Sequence, residues 1–226
     1  MARKCIQSLA KLLIIGCCYA NPVHASPQAS DVAIQSQILS PYKSQIESRL
    51  NSNQNLISDI ASQLTTHSLP IEFVLIPMLE SSYDPLAISH ANAAGLWQLM
   101  PSTAKRFGLE VSDSQDQRFH VQASTNAAIL YLQFLYTKFG ELSLTLAAYN
   151  SGEGRVSRAI NQAGSREFDK LHLPAETRQY VHRFYALKKL IAIEQWVKKT
   201  NHFYLFGQHN TLPLINLSPL PPLVTL

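Results

Sequence analysis

Glu80 is the first residue in this chain from which chemistry can be argued. It closes an apolar run (Ile71, Phe73, Val74, Leu75, Ile76, Met78, Leu79) and is followed by the turn Ser81-Ser82-Tyr83-Asp84-Pro85. If the run is a helix over 70–82, opened by Pro70 where a missing N–H costs nothing, Glu80 lies in its last turn. There the negative end of the helix dipole and the apolar neighbours both disfavour a charged carboxylate. A carboxylic acid kept protonated near neutral pH is what a general acid requires. The plainer alternative is a solvated residue at a helix edge, and Glu80 alone does not decide between them. Pro77, inside the same stretch, removes one ladder hydrogen bond and predicts a kink or a helix that starts late.

The elements that must hold Glu80 read as mainly α. Residues 26–40 are polar and small, and are expected to be a flexible entry. From Ser40-Pro41 onward, Tyr42, Ile46, Leu50, Leu56, Ile57, Ile60 and Leu64 recur at helical spacing, giving an amphipathic helix or helix pair broken near 51–55. Residues 83–94 form a loop, and Pro101 opens a short helix stopped by Gly108. The polar, acidic stretch 110–119 lacks periodicity and reads as a surface loop. The strongest helix runs over Val121–Phe139 and stops at Gly140. Leu142, Leu144 and Leu146 alternate as a strand would, but Ala147-Ala148 and the short gap after Gly140 favour a buried helix ending in a glycine-rich turn. A short helix over 155–163 is capped by Gly164. A long one follows over 174–196, with Glu176 in its first turn and Tyr180, Phe184, Leu187 and Ile191 on one face. Beyond residue 201, Pro213, Pro219, Pro221 and Pro222 among apolar residues predict an extended strap.

Composition bounds the class. With 226 residues, 46% hydrophobic and 15% charged, the chain suits one globular domain with a sizeable core. Residues 1–25 read as a signal peptide: Arg3, Lys4 and Lys11 without an acid, the apolar stretch 12–20, and a Val-x-Ala type cleavage signal at Val23-His24-Ala25. A competing reading takes Ile14-Ile15-Gly16-Cys17 as a lipoprotein site, with lipid on Cys17. No run is long enough for a good transmembrane helix. Loss of the leader's three basic residues lowers the formal charge from +4 to +1, which argues against a protein built to bind nucleic acid. Cys5, Cys17 and Cys18 all lie in the leader, so the mature chain is expected to have neither disulfides nor thiol chemistry.

Several familiar sites are absent from the sequence. There is no HExxH, CxxC or acidic calcium loop, and the histidines are scattered singly, so no metal is expected. No phosphate-binding glycine loop follows a strand, no nucleophile elbow surrounds any serine, and no organic cofactor is expected.

What remains is an ordered set: Glu80-Ser81-Ser82-Tyr83-Asp84-Pro85, Ser89, Ala94-Gly95-Leu96-Trp97-Gln98-Leu99-Met100-Pro101, Ala147-Ala148-Tyr149-Asn150-Ser151-Gly152 with Gly154, and Glu176-Thr177-Arg178-Gln179-Tyr180-Val181. In order and spacing it resembles the lytic murein transglycosylases of the lysozyme-like superfamily. It is most similar to the membrane-bound lytic transglycosylase D branch, over roughly residues 40–200. The resemblance implies a lysozyme-like helical domain over 67–200, with an N-terminal helical segment at 26–66 and the strap at 201–226. It makes Glu80 the single catalytic acid/base, puts Ser89 and Gln98 in the sugar-binding groove, sets Tyr149 and Asn150 beside the catalytic carboxyl, and has Glu176 contact polar groups of the substrate. Plainer roles stand beside these: Trp97 as core packing, Ser81 and Gly95 as structural, Asn150 as a helix cap, and Glu176 as a first-turn acid facing its helix dipole. Asp84 stands where many members have Asn, and His182 where Pro is common. Residues 201–226 carry none of the peptidoglycan-binding repeats often found downstream in this branch.

The implied chemistry needs one carboxyl. Glu80 would cleave after N-acetylmuramic acid and then serve as base for the same sugar's C6 hydroxyl, closing a 1,6-anhydro ring. Asp84, the nearest other acid, is expected to be locked in its turn. The implied partner is the glycan strand of peptidoglycan, the expected state a monomer, and the expected location the periplasm or the outside of the cell, with peripheral membrane association left open. The rivals are a hydrolytic lysozyme on the same fold and a non-catalytic glycan-binding module.

Overall fold

The computed structural model describes residues 27–197, so the leader and the strap lie outside the described residues. Helix α1 (Ala29–Leu39) leads through a 3-10 turn (Ser40–Tyr42) into α2 (Lys43–Ser52) and α3 (Gln54–Thr66). The break between α2 and α3 falls at Asn53, whose side-chain amide donates to the Arg49 carbonyl at 2.9 Å. The apolar run does not form one helix. Pro70 precedes a 3-10 turn (Ile71–Leu75), and α4 (Ile76–Ser81) starts late, with Pro77 in its first turn where no N–H is needed. Then come α5 (Pro101–Arg106), a 3-10 turn (Gln117–Phe119), α6 (Val121–Phe139), α7 (Leu142–Ser151), α8 (Glu153–Ala163), a 3-10 turn (Phe168–Lys170), α9 (Ala175–Leu190) and α10 (Glu194–Val197).

The alternating leucines of α7 are helical because the helix is enclosed on every side. Residues 143–148 are all buried, against α6, α8 and α9. Around this rod the core gathers Phe73, Ile76, Leu79, Trp97, Leu132, Leu135, Val181 and Phe184. Among the described residues no strand forms, only three isolated bridges: Ile88 with Ala94, Ala94 with Leu99, and Val111 with Asp116.

Three expectations are corrected. Residues 29–39 are a helix, not a flexible entry. α1 lies along α9, burying Leu39 and Gln35, and the Arg183 Nε donates to the Gln35 Oε1 at 3.1 Å. Its pattern hid it: Ile34 and Ile38 face outward at 55% and 46% exposure while a glutamine faces inward. Tyr42, expected on the packed face, is 41% exposed in the 3-10 turn. The last long helix stops at Leu190 rather than Trp196, because Ile191 and Ile193 are both buried with Ala192 exposed between them. That alternation fits extended backbone, and Ile191 adopts φ −113°, ψ 114°.

Candidate active site

Glu80 occupies the last turn of α4, and the chain leaves that turn abruptly. Ser82 (φ 54°) and Tyr83 (φ 63°) are consecutive left-handed residues, neither of them glycine. The Ser82 hydroxyl is buried with no hydrogen-bond partner among the described residues. What holds the exit is its neighbours. The Tyr83 N–H donates to the Pro77 carbonyl at 3.1 Å, its buried hydroxyl donates to the Val74 carbonyl at 2.6 Å, and the Ser81 hydroxyl donates to the Leu96 carbonyl at 2.8 Å.

The loop over 83–100 forms a wall beside this exit. Asp84 accepts from the Leu86 N–H at 2.9 Å, which ties its carboxylate into the turn as expected. The Ala87 carbonyl accepts both the Gly95 N–H (2.8 Å) and the Gln98 Nε2 (3.0 Å). Arg118, from the stretch expected to be a polar surface loop, is buried instead. It pairs with Asp116 at 2.7 Å and donates to the carbonyls of Asn92 and Leu99 at 2.6 and 3.1 Å. Gly95 is required here: its φ is +79°, and a Cβ would come within 2.0 Å of the Arg118 carbonyl oxygen. Trp97 is fully buried, its indole N–H donating to Thr125 Oγ1 at 3.0 Å, so its side chain packs the core.

Two tyrosines close on Glu80 from α7 and α9. The Tyr180 hydroxyl donates to the Glu80 Oε1 at 2.7 Å. The Tyr149 hydroxyl donates to the Trp97 carbonyl at 2.7 Å, joining the end of α7 to the loop wall. Burial pushes the Glu80 carboxyl up to about 7, against the opposing pull of the Tyr180 hydrogen bond, while the residue keeps a partly exposed face. Burial first, then the nearby Glu80 charge, push both tyrosine hydroxyls well above their usual range. They are therefore neutral donors at physiological pH. A carboxyl that titrates near neutrality beside two neutral hydroxyls can give a proton and take one back.

The other expected site residues take several positions. Tyr149 lies near enough to Glu80 for its charge to act on the hydroxyl, and Asn150 follows it, partly exposed and without a side-chain partner among the described residues. Ser89 accepts the Ala93 N–H on its hydroxyl oxygen at 3.0 Å, which leaves its own O–H to donate. Gln98 gives Nε2 to the carbonyls of Ala87 and Gly95 (3.0 and 2.9 Å), so only its Oε1 faces other work. Glu176 is exposed in the first turn of α9, one helical turn before Tyr180. Tyr180 stands in the sequence motif over 176–181 and on the core-facing side of its helix, but the sequence assigns it no role at the acid. The i, i+4 relation to Glu176 was the signal that would have found it. Among the described residues no group of three or more His, Cys, Asp or Glu could hold a metal, and no helix is long and apolar enough to cross a membrane.

A match to the Transglycosylase SLT domain family spans residues 58–172, just over half of the chain. The chain is similar to membrane-bound lytic murein transglycosylase D of Escherichia coli (strain K12), with 47% identity over 137 residues, covering 58% of this chain and 30% of that protein. It is 29% identical over 193 residues to the soluble lytic murein transglycosylase of the same strain, covering 80% and 28%. The crystal structure of the 70 kDa soluble lytic transglycosylase from Escherichia coli superposes with a TM-score of 0.52 at 26% identity, over 63% of this chain and 24% of that one. A complex of the 70-kDa soluble lytic transglycosylase with bulgecin A gives 0.58 at 25% identity, over 73% and 28%. The chain spans less than a third of the length of these relatives. On the family match and the shared helical architecture, the chain belongs to the Transglycosylase SLT domain family and has its lysozyme-like fold.

Proposed function

We propose that this chain is a peptidoglycan lytic transglycosylase that cleaves the β-1,4 bond after N-acetylmuramic acid and leaves a 1,6-anhydro end. The observation that carries this is one carboxyl, Glu80, raised to about 7 by burial and oriented by Tyr180, with no second carboxylate among the influences on it. Glycosidases that work through two carboxylates need the second as nucleophile or base, and here Asp84, four residues on from Glu80, is tied into its own turn. A substrate that brings its own nucleophile removes that need.

In the proposed reaction Glu80 gives its proton to the glycosidic oxygen, and the bond to C1 of N-acetylmuramic acid breaks as that oxygen leaves as a hydroxyl. The sugar's N-acetyl oxygen stabilises the positive C1. The Glu80 carboxylate then takes the proton of the C6 hydroxyl as the C6 oxygen bonds to C1, which restores the acid and closes the ring. An intramolecular nucleophile gains from proximity, an effect worth roughly 7–11 kcal/mol in the best cases. Tyr180 holds the carboxyl in line. Tyr149, Asn150, Ser89, Gln98 and Glu176 supply the polar contacts that seat the glycan. Export under the leader would bring the enzyme to the murein layer of the periplasm as a monomer. The mass of the mature N-terminus distinguishes cleavage after Ala25 from lipid on Cys17.

Mass spectrometry of digested peptidoglycan tests the reaction. Anhydro ends support it, whereas reducing ends would mean hydrolysis. Glu80→Gln should fold and bind glycan but turn over at least about a thousandfold more slowly, and a fully active variant would end the catalytic role of Glu80. Because the acid form is the working one, kcat should fall as pH rises through about 7.

A further inference from the structure

A row of rings leads from the surface to the Glu80 site. Tyr149, whose hydroxyl holds the loop wall at the Trp97 carbonyl, has its ring 5.4 Å from that of Tyr131, tilted by 33°. Tyr131 is buried in the middle of α6 and donates its hydroxyl to the Ala148 carbonyl at 3.3 Å, one residue before Tyr149. Behind it, the Phe107 ring lies 5.1 Å away. The Arg106 guanidinium sits 5.3 Å over that ring and pairs with Glu153 at 2.6 Å, which closes the row between the end of α5 and the start of α8.

The Tyr131 hydroxyl is spent on α7 rather than on Glu80. Burial, and after it the Glu153 charge against that of Arg106, hold it above its usual range, so it is a neutral donor. What Tyr131 acts on is Tyr149, in the last turn of α7, three residues before Gly152 takes the chain out of the helix at φ 87°. Helix ends fray, and the backbone alone fixes a side chain poorly there. The ring contact holds the Tyr149 side chain, and the hydrogen bond to the carbonyl one residue earlier holds the turn that carries it.

We propose that Tyr131 is a positioning residue of the active site: its ring braces Tyr149, and through Tyr149 it keeps water from the Glu80 carboxyl. This rests on the transglycosylase reading, which makes Glu80 the acid. The titratable groups acting with Glu80 are Tyr149 from α7 and Tyr180 from α9, both neutral donors, while Glu153 and Arg106 face Tyr131. Burial is what raises the Glu80 carboxyl, so water admitted beside it lowers it.

Glutamate labelled at its carboxyl carbon and incorporated into the full chain, with Glu80→Gln to assign the signal, lets the Glu80 titration be followed by NMR alongside pH–rate profiles on peptidoglycan. Tyr131→Leu should move both the titration and the alkaline limb of kcat to lower pH by at least about half a pH unit, and lower kcat at pH 7 about threefold or more. Tyr131→Phe keeps the ring and should titrate as wild type. Phe139→Leu removes another buried ring of α6, eight positions on and about 12 Å away, and should lower the melting temperature without moving the titration. A wild-type titration in folded Tyr131→Leu, or an equal move in Phe139→Leu, would overturn the proposal. Should Tyr131→Leu not fold, Tyr131→Met fills more of the space and is read in the same way. The titration needs no turnover, so a failure of the transglycosylase reading shows separately as digests without anhydro ends.

Discussion

The carboxyl of Glu80 is set by two opposing influences, burial that raises it and the Tyr180 hydroxyl that lowers it. Removing the hydroxyl should separate them. Tyr180→Phe should move the alkaline limb of kcat to higher pH, because the ionised form loses its donor. It should also lower kcat at pH 6 by 10- to 100-fold, the equivalent of about 1.5–3 kcal/mol for a hydrogen bond to a charged group. An unmoved limb in the pH profile would show that the hydroxyl does not act on the acid. Glu80 was legible in the sequence through the ordered motifs around it, since a carboxylate at the end of an apolar run could equally be a solvated helix-edge residue. Tyr180 was not, since its ring satisfies the hydrophobic periodicity of α9 and its polar tip is invisible to a pattern that scores whole residues.

At the scale of elements, a helix of six residues cannot fix a side chain to catalytic tolerance by itself, and α4 borrows its rigidity from the loop over 83–100. Gly95 is where that loop meets the Arg118 backbone. Gly95→Ala should destabilise the protein by at least about 3 kcal/mol in urea unfolding, the sum of positive-φ strain and a backbone collision that no side-chain rotation relieves. A cost below about 1 kcal/mol would mean the loop shifts freely. The glycine was readable as part of a motif, but its reason was not. Arg118 stands in a stretch that looks solvated, and the carbonyls it reaches belong to residues 19 and 26 positions away, where local patterns carry no information. The helix stops at Gly140 and Gly164, by contrast, are local events of left-handed backbone and were read directly.

For the molecule as a whole, the question is whether α1 belongs to the folded body. Leu39 is 1% exposed at the end of α1, and Leu39→Ala should cost about 2–5 kcal/mol of global stability in a single cooperative transition. A separate early melt of α1 with the main transition unmoved would make the helix an appendage. The overall α-rich architecture was legible from apolar spacing and glycine stops, while α1 was missed because its packing inverts the usual face rule, with isoleucines outside and a glutamine inside. The exit from α4 bears on the same balance. Ser82 carries two penalties at once, a left-handed backbone and an orphaned hydroxyl, and glycine would carry neither. Ser82→Gly should therefore melt about 3–6 °C higher, reflecting roughly 1–2 kcal/mol gained, and at the same time be a poorer catalyst, because the hinge it loosens is the one that aims the acid. Heat tolerance and turnover would then pull in opposite directions at a single position, a tauter spring against a sturdier one.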